Sequence, residues 1–323
     1  MGFVVLTHAQ VEALLPMDEC IDVMSDALAA LARGEVHNPL RSVTRSPDAG
    51  SFMGLMPAHR AGADPVWALK AICVFPENPR RGLDAHQGAV VLFDGQTGKI
   101  RAVMNASAVT AIRTAAVSAV ATRLLAREDA RELAILGAGV QARWHLEAMR
   151  TVRRFDRVRI ASRTAERAEA LARATGAEAV ASGEDAVRGA DVVVTATSSP
   201  SPVIERDWLK PGAHVNAVGA SIPTARELDT RTVADAALFV DRRESTQNEA
   251  GDYLIPLAEG AITGVEHIRA EIGELVLGAA EGRRSDDELT VFKSLGLAVE
   301  DLAAAEHVLL RAEESGTGTR VAF

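Results

Sequence analysis

A glycine-rich turn near the middle of the chain constrains the fold more than any other feature. The segment "RELAILGAG" (131–139) is apolar and then turns on glycines, as a buried parallel strand does before a tight turn. The segment that follows, "VQARWHLEAMRTV" (140–152), has the spacing of a helix. The turn "GAGVQA" (137–142) matches the pattern GxGxxG/A in the strand–turn–helix context that the pattern requires. The sequence therefore predicts a dinucleotide-binding unit here.

The small residues of this turn each have a physical purpose in such a unit. Gly137 permits the sharp turn, Gly139 lets a pyrophosphate approach the backbone, and Ala142 lets the helix lie close to the strand. Backbone amides at the helix N-terminus then bind the phosphate charge. We expect Gly137, Ala138 and Gly139 to contact the dinucleotide.

Strands and helices alternate beyond this turn. The segment "TAERAEALARATG" predicts a helix that Gly176 closes as its C-terminal cap. Repeated units of this length predict an α/β domain of the Rossmann type, with a doubly wound parallel sheet. The further strands that we predict in this region are 157–162, 177–182, 190–199, 213–221 and 236–241.

The two ends of the chain have a different pattern. Residues 8–34 predict a helical stretch broken at Pro16. Residues 51–104 are rich in strand patterns, with a hairpin turn at "DGQTG" (94–98). Two long helices are predicted as well, at 107–126 and at 294–316.

These patterns predict two domains. The dinucleotide-binding domain, residues 119–296, is inserted into a smaller α+β domain built from residues 1–118 and 297–323. The length of 323 residues agrees with two domains of about 150 residues each.

The bulk composition argues against several classes of protein. A net charge of -9 argues against a general nucleic-acid binder, because binding phosphates requires clustered Lys and Arg. Two cysteines, Cys20 and Cys73, with no CxxC pair exclude a disulfide framework and lead us to expect a reduced, cytoplasmic setting. We expect neither a signal peptide nor a membrane span. The eight histidines show no ligand spacing, so we expect no metal.

The residues after the second predicted strand bear on the choice of coenzyme. About 20 residues beyond the glycine turn, an NAD-specific protein presents Asp or Glu to the ribose hydroxyls, but this chain has Ser162, Arg163 and Thr164. A carboxylate would repel the 2′-phosphate of NADP, whereas Arg163 can hold it through two hydrogen bonds. Ser162 and Thr164 can donate hydroxyl hydrogen bonds, and Arg167 lies one helical turn beyond Arg163. We predict NADP(H), with NAD(H) as the weaker option and a solvated basic turn as the alternative without function.

The remaining motifs are specific when they are taken together, although the glycine turn by itself is not. Besides "ILGAGVQA", they are "LMPAH" (55–59), "LKAICVFPENP" (69–79), "HQGAVVLFDGQTGKIRAVM" (86–104), "TAIRTAAVSAVAT" (110–122), "NAVGAS" (216–221), "ELD" (227–229) and "TVFKSLGLAVEDLAAA" (290–305). Through these motifs the chain resembles, over nearly its full length, the ornithine cyclodeaminase/mu-crystallin family, and it is most similar to the mu-crystallin-type ketimine reductases.

The resemblance implies roles for matched positions. Arg41, Lys70 and Arg113 are implied to bind the carboxylate and the α-nitrogen region of a substrate, and Lys70 and Arg113 to be catalytic. Two Arg–carboxylate hydrogen bonds would fix the substrate for hydride transfer. For Arg41 there are two alternatives: it is an exposed strand residue without this role, or Arg45 binds the substrate in its place. Glu249 and Leu295 are also predicted substrate contacts, with a charged helix start as the alternative for Glu249.

The family's coenzyme contacts match a further set of positions, and two of these have an alternative interpretation without function. The alternative for His86 is a histidine that caps a strand, and for Thr197 a routine loop. The resemblance also implies a homodimer formed through the strand-rich domain. The matched coenzyme positions are His86, Arg113, Val140, Gln141, Thr197, Val218 and Ser294.

Two departures from the family pattern affect the expected chemistry. Ornithine cyclodeaminases and the family's alanine dehydrogenases have Asp at the last position of "NAVGAS", as an acid/base, where this chain has Ser221. A serine hydroxyl cannot shuttle protons near neutral pH without an activating base. We therefore assign Ser221 to the catalytic position but expect reduction of a preformed C=N bond. Relatives often have Ser or Thr where this chain has Ala85, so one coenzyme hydrogen bond is lost.

The predicted activity is that of an NAD(P)H-dependent reductase of cyclic or linear 2-imino acids. Three alternatives remain open from the sequence. They are an ornithine cyclodeaminase, an alanine dehydrogenase-like amino-acid dehydrogenase or reductive aminase, and a non-enzymatic protein that binds NADPH and a small ligand.

Overall fold

The computed structural model of the chain describes residues 2–45 and 50–323. Within that part, the chain divides into two compact units. The first unit comprises the residues up to Arg113 together with Gly296–Phe323, and the second is Thr114–Leu295. The predicted division after residue 118 therefore lies a few residues further along the chain than the division in the structure. The predicted α/β class, with a parallel sheet inserted into a smaller α+β unit, is confirmed.

The first unit contains a mixed sheet and three helices of its own. Antiparallel pairing runs through β4, β5, β6 and β7, and β1 pairs parallel to β7. Its strands are β1 (Gly2–Leu6), β2 (Val36–His37), β3 (Ser42–Arg45), β4 (Phe52–Arg60), β5 (Val66–Val74), β6 (His86–Asp94), β7 (Ile100–Asn105) and β16 (Thr319–Ala322). Its helices are α1 (His8–Leu14), α2 (Met17–Ala32) and α11 (Ala298–Ser315).

Local chemistry explains where these elements begin and end. Pro16 lies between α1 and α2 and occupies the N-cap of α2, so the predicted break is confirmed. The predicted hairpin is also confirmed, because the amide of Asp94 donates to Lys99 O (2.8 Å) and β6 pairs antiparallel to β7. The C-terminal helix predicted at 294–316 begins later, at Ala298, and ends at Ser315. Gly316 is its C-cap, with a φ of 68° that suits a residue without a side chain.

Helix α3 (Ala106–Leu125) contains the division between the units. Among the described residues, it is a helix long and apolar enough to cross a membrane by length and composition. However, 83% of its most apolar window is buried inside the protein. A core helix passes the same test, so this is weak evidence for a membrane span.

The second unit is a parallel sheet flanked by helices. Short 3-10 helices lie at Arg206–Trp208 and Val265–His267 in this unit, and another lies at Asn78–Arg81 in the first unit. The strands are β8 (Glu132–Leu136), β9 (Arg157–Ala161), β10 (Glu178–Ala179), β11 (Val192–Thr195), β12 (His214–Ala217), β13 (Ala237–Val240), β14 (Ile268–Glu271) and β15 (Thr290–Lys293). The helices are α4 (Val140–Val152), α5 (Ala165–Thr175), α6 (Gly183–Val187), α7 (Thr230–Asp235), α8 (Arg243–Glu249), α9 (Gly251–Ala258) and α10 (Ile272–Val276).

The order of strands in this sheet is β10-β9-β8-β11-β12-β15-β13-β14, and every pair is parallel. From β8 the chain adds β9 and then β10 on one side. It then crosses back and adds β11 on the other side of β8. This reversal between β8 and β11 is the switch point at which doubly wound sheets bind a dinucleotide. The predicted strands are confirmed, whereas β14 and β15 were not predicted as strands.

Candidate active site

Lys70 lies in the middle of β5 with its ammonium group buried. The side chain is 2% exposed, and Nζ lies 2.6 Å from Oδ2 of Asp301. Burial is the main reason that the pKa of Lys70 falls from 10.5 to about 8, with Arg113 and Arg41 adding to the fall. Asp301 opposes it, because a nearby carboxylate favours the charged ammonium. Lys70 can therefore exist in both protonation states near neutral pH.

Arg113 lies in the part of α3 that belongs to the first unit, and it is also buried. Its Nη1 lies 2.5 Å from Oε2 of Glu300, and its Nε donates to Oδ1 of Asp301 at 2.9 Å. Asp301 thus binds Arg113 with one oxygen and Lys70 with the other. The two predicted residues, which are distant in sequence, are joined by a carboxylate that the sequence analysis did not identify.

The start of α11 places these carboxylates. The buried side chain of Asn38 accepts a hydrogen bond from the amide of Val299 (2.8 Å), which satisfies an N-terminal amide of the helix. Glu300 and Asp301 follow in the first helical turn, where the helix dipole favours negative charge. Both are 1% exposed or less. Their burial is tolerated because each is paired with a cation.

Arg41 joins this cluster through the backbone at Gly296. It lies just before β3, and its Nη2 donates to Gly296 O at 3.0 Å. Arg45, the alternative from the sequence, is instead exposed, with its guanidinium over the ring of Phe52. Gly296 has a φ of 77°, and a Cβ there would lie 2.5 Å from Nη1 of Arg113. Gly296 therefore accepts from one arginine and leaves space for the other.

The described contacts of this cluster join cations to buried carboxylates. Lys70 and Arg113 share Asp301, and Arg113 also pairs with Glu300. The positive side chains gathered here suit the binding of an anionic ligand. The cations are Arg41, Lys70 and Arg113, and the anions are Glu300 and Asp301.

His86 is the first residue of β6. Its carbonyl accepts a hydrogen bond from the hydroxyl of Ser107, a contact that fixes the start of the strand. Desolvation, followed by the positive charges of Lys70 and Arg113, lowers the pKa of His86, although part of the residue is accessible to solvent. A neutral imidazole is therefore favoured beside the cationic cluster. The prediction that His86 contacts a coenzyme stays a prediction.

In the second unit, the glycine turn has the geometry that the motif requires. Gly137 has a φ of 120°, and a Cβ there would lie 2.4 Å from Ala196 O. Gly139 is the N-cap of α4, and a Cβ there would meet no protein atom within 4 Å. Val140 is 53% exposed although it is apolar and begins the helix. The turn thus leaves open space at the helix N-terminus, beside the predicted contacts Ala138 and Gln141.

The end of β9 presents exposed basic and hydroxyl groups. The amide of Thr164 donates to Oγ of Ser162 (3.3 Å), which folds the turn between the strand and α5. Arg163 and Arg167 are exposed. In the part of the chain that the structure describes, neither guanidinium has a protein hydrogen bond or ion pair, whereas the neighbouring Arg173 pairs with Glu169. The predicted helix cap at Gly176 is confirmed, with a φ of 69°.

The ends of β11, β12 and β15 lie side by side at the carboxyl edge of the sheet. The hydroxyl of Thr197 donates to Glu227 at 2.7 Å, so its proton is directed into the protein. Val218 follows β12 and is partly exposed. Ser294 is 1% exposed and donates its amide to Ala217 O (3.0 Å). These three predicted coenzyme positions therefore share one edge.

Three other predicted residues lie in the second unit. Ser221 is partly buried in the loop beyond β12. Leu295 is 7% exposed, and its amide donates to Oδ2 of Asp241 at 2.6 Å. Glu249 is the last residue of α8, so the interpretation as a charged helix start is wrong. The helix that follows begins at Gly251, since α8 and α9 are separated by the extended residue Ala250.

A set of buried charged residues was not predicted from the sequence, although the sequence carries a signal for some of them. The signal used for Lys70, a charged residue in an apolar run, also marks Lys293 in "LTVFKSLGLAV" and the acidic pair in "GLAVEDLAAA". Lys293 is 1% exposed, with Nζ at 3.0 Å from Oδ2 of Asp252. The missed residues are Glu227, Asp252, Lys293, Glu300 and Asp301.

Comparison with known proteins decides the family. The sequence model of the ornithine cyclodeaminase/mu-crystallin family matches residues 2–316. The chain belongs to the ornithine cyclodeaminase/mu-crystallin family. The resemblance found in the sequence motifs is therefore confirmed, over nearly the whole chain.

Three proteins that are similar to this chain are named for an enzyme activity. The ketimine reductase mu-crystallin of Mus musculus is 41% identical over 293 residues, which are 89% of this chain and 90% of that protein. The structure of the Thermococcus litoralis Delta(1)-pyrroline-2-carboxylate reductase with NADH and L-proline is 36% identical, with a TM-score of 0.95 over 99% of this chain and 100% of that one. An archaeal alanine dehydrogenase dimer with bound NAD is 33% identical, with a TM-score of 0.93 over 100% of both chains.

Proposed function

We propose that this family member is an NAD(P)H-dependent reductase of 2-imino acids, either cyclic or linear. The observation that carries the proposal is the buried ammonium of Lys70, held at 2.6 Å from Asp301, which also binds Arg113. Two of the similar proteins are named as reductases of a ketimine and of pyrroline-2-carboxylate. The same site chemistry suits both kinds of substrate.

The arginines bind the substrate carboxylate. Arg41 donates to Gly296 O, and a Cβ at Gly296 would lie 2.5 Å from Nη1 of Arg113, so we assign both guanidinium groups to one substrate carboxylate. Each charge-assisted hydrogen bond contributes about 1.5–3 kcal/mol, so two of them fix the orientation of C2 and the imine nitrogen.

Lys70 supplies the proton. With a pKa of about 8, it is mostly protonated at neutral pH and is still acidic enough to donate. Transfer of this proton to the imine nitrogen makes C2 more electrophilic, and Asp301 stabilises the ammonium between turnovers. Protonation at nitrogen and hydride addition at C2 convert the C=N bond to an amine, and no water needs to be activated. Ser221 in place of an aspartate agrees with that requirement.

The second unit fits a nicotinamide dinucleotide, which supplies the hydride when it is bound. Gly139 leaves open space where any side chain would project towards the ligand, and the N-terminus of α4 favours phosphate there. Arg163 and Arg167 are exposed cations beyond β9 at the position of the adenosine ribose. We propose that they bind a 2′-phosphate, so that NADP(H) is preferred to NAD(H).

The function is tested by following NADPH and NADH absorbance with pyrroline-2-carboxylate and piperideine-2-carboxylate. We expect oxidation of the coenzyme with either imine and little with ornithine. Keto acid with ammonia or methylamine distinguishes an amino-acid dehydrogenase or reductive aminase from an imine reductase. Coenzyme binding without turnover of any of these substrates would contradict the proposal and favour a binding protein.

We also propose that the chain forms a homodimer through the outer face of the first-unit sheet. Apolar side chains alternate along β4, β5 and β6 on this face, and register pairs Trp67 with His59 on one side and Phe93 on the other. Trp67 and Met53 are each 45% exposed. A contiguous apolar face of this kind marks an interface. A similar alanine dehydrogenase is described as a dimer.

Sedimentation of wild type, Trp67→Glu and Leu310→Glu tests the dimer. Leu310 is 54% exposed on α11 of the same unit and serves as the matched control. We expect wild type and the control to sediment as dimers, and Trp67→Glu as a monomer. A monomeric wild type would contradict the proposal.

A further inference from the structure

Glu227 is a buried carboxylate whose hydrogen-bond partners are hydroxyls and backbone amides. Its exposed fraction is 0%. Oε1 accepts from the amide (2.8 Å) and the hydroxyl (2.7 Å) of Thr197. Oε2 accepts from the hydroxyl of Thr195 (2.8 Å) and from the amides of Gly219 (2.6 Å) and Ala220 (3.3 Å). One side chain therefore ties the end of β11 to the loop that follows β12.

The packing around this carboxylate is tight. A Cβ at Gly219 would lie 2.1 Å from Thr197 O and 2.5 Å from Oε1 of Glu227, so only glycine fits between them. Glu227 is itself held, because its amide donates to Oδ1 of Asp252 at 2.8 Å. Asp252 pairs in turn with Lys293 at the end of β15. The arrangement leaves the carboxylate no freedom to turn away.

The place of this arrangement in the sheet indicates which part of a dinucleotide it serves. Phosphate binds at the turn after β8, and the adenosine ribose at the end of β9 on one side of it. The other half of the dinucleotide then lies on the opposite side of β8, at the ends of β11 and β12. Those are the strand ends that Glu227 connects.

We propose that Glu227 is a positioning residue for the nicotinamide half of the coenzyme. It acts through the backbone at Thr197 and at Gly219–Ala220, which form the wall beside Val218 and Ser221. The inference rests on the proposed function, in that it assumes a bound nicotinamide dinucleotide. It adds a residue that fixes the nicotinamide end while leaving the adenosine end to other groups.

The chain provides a matched control at the opposite end of β11. Asp191 precedes that strand, is 8% exposed, and its Oδ2 accepts from the amides of Arg131 (2.8 Å) and Glu132 (2.9 Å). It is therefore another buried carboxylate that ties two strand ends together by backbone amides. Because it lies at the amino edge of the sheet, its loss should affect stability without affecting the coenzyme site.

The experiment compares wild type, Glu227→Gln and Asp191→Asn. Binding of NADPH and of the fragment adenosine 2′,5′-bisphosphate, which lacks the nicotinamide half, is measured by calorimetry, together with kcat for imine reduction and Tm. For Glu227→Gln we expect NADPH affinity and kcat to fall about tenfold or more, because small misplacements are costly in a reacting geometry. Affinity for the fragment should change less than about twofold, and Asp191→Asn should lower only Tm.

Equal losses for NADPH and the fragment, or the same kinetics in both variants, would overturn the inference. If Glu227→Gln does not fold, Thr195→Val removes one donor to the carboxylate at nearly constant volume, and the same selective loss is expected in smaller measure. If wild type binds NADH rather than NADPH, NADH and AMP replace the two probes. Failure of wild type to bind any dinucleotide would instead overturn the proposed function.

Discussion

Lys70 and Asp301 form a buried ion pair, with Nζ 2.6 Å from Oδ2, although 231 positions separate them in the chain. Both side chains are 2% exposed. Asp301 also binds Arg113, so it fixes an ammonium group and a guanidinium group relative to each other. Under the proposed function, a substrate whose carboxylate binds Arg113 has its nitrogen presented to the ammonium of Lys70.

Lys70→Met should abolish most imine reduction while leaving NADPH binding nearly unchanged. A positioned general acid contributes about a hundredfold or more to the rate. Single-turnover kinetics and coenzyme titration measure the two effects, and Lys99→Met, an exposed lysine in the β6–β7 turn, is the control. Normal turnover by Lys70→Met would show that the proton comes from elsewhere.

The rate of imine reduction should fall as the pH rises through about 8, because Lys70 then loses its proton. Oxidation of the cyclic amino acid, which needs neutral Lys70 as a base, should show the opposite dependence. The charge of Asp301 raises the pKa of Lys70, so Asp301→Asn should shift both profiles to lower pH. Profiles that do not move in this variant would argue against Lys70 as the titrating group.

Gly296→Ala should weaken imino acid binding, because the added Cβ would lie 2.5 Å from Nη1 of Arg113. We expect KM for the imine to rise about tenfold, the loss of one charge-assisted hydrogen bond, with coenzyme affinity unchanged. Gly34→Ala is a suitable control, since Gly34 has a similar φ of 74° with no atom within 4 Å of its Cβ position. An equal effect in both variants would mean that backbone strain, rather than Arg113, is responsible.

Arg163→Ala should lower affinity for NADPH and leave affinity for NADH unchanged. A lost charge-assisted hydrogen bond costs about 1.5–3 kcal/mol, or roughly a factor of 10 to 100 in Kd. Arg173→Ala, in the helix that follows Arg163 but paired with Glu169, serves as the control. Should NADPH and NADH lose affinity alike, the guanidinium does not read the 2′-phosphate.

The second unit should lose stability in acid because His145 is buried in its neutral form. Its Nε2 lies 3.0 Å from Oγ of Ser118, and burial lowers its pKa from 6.5 to about 4. Between these pH values the unfolded chain binds the proton and the folded chain does not, so stability is lost as the pH falls. Each unit of difference is worth about 1.4 kcal/mol, which gives about 3 kcal/mol by pH 4.

Urea unfolding at pH 7 and at pH 4.5 measures this loss. His145→Gln removes the titrating group, so its free energy of unfolding should depend less steeply on pH than that of wild type. Equal slopes in the two proteins would assign the acid sensitivity to other groups, such as His214, whose pKa burial lowers to about 3.

The sequence predicted best where a short motif determines the backbone. Gly137 and Gly176 have positive φ in the structure, as the turn and the helix cap require. These features depend on neighbouring residues alone. By contrast, β15 was missed because the four residues "TVFK" are too few to show a period and are followed by a glycine-containing loop.

The partners of the predicted site residues could not be deduced from spacing. The apolar run around Glu300 and Asp301 marks the pair as buried, but acidic residues are also common at a helix start, and nothing in the spacing shows that Arg113 and Lys70 are their partners. Likewise, "ELD" contributed to the family resemblance, but which amides Glu227 accepts from depends on how β11 and β12 are joined. The sequence can indicate which charged residues belong to a site. Which group each of them pairs with can be known only from the fold.

The position of β15 in the sheet has a consequence for how the chain acquires its structure. This strand is the last of its unit in sequence, yet it lies between β12 and β13, which precede it. During synthesis, β13 and β14 therefore cannot join the rest of the sheet until residues 290–293, which form the strand between β12 and β13, have left the ribosome. The helix that carries Glu300 and Asp301 follows within a few residues, so both units are completed almost together. A chain interrupted before residue 290 would have a gap inside its sheet rather than a shortened edge.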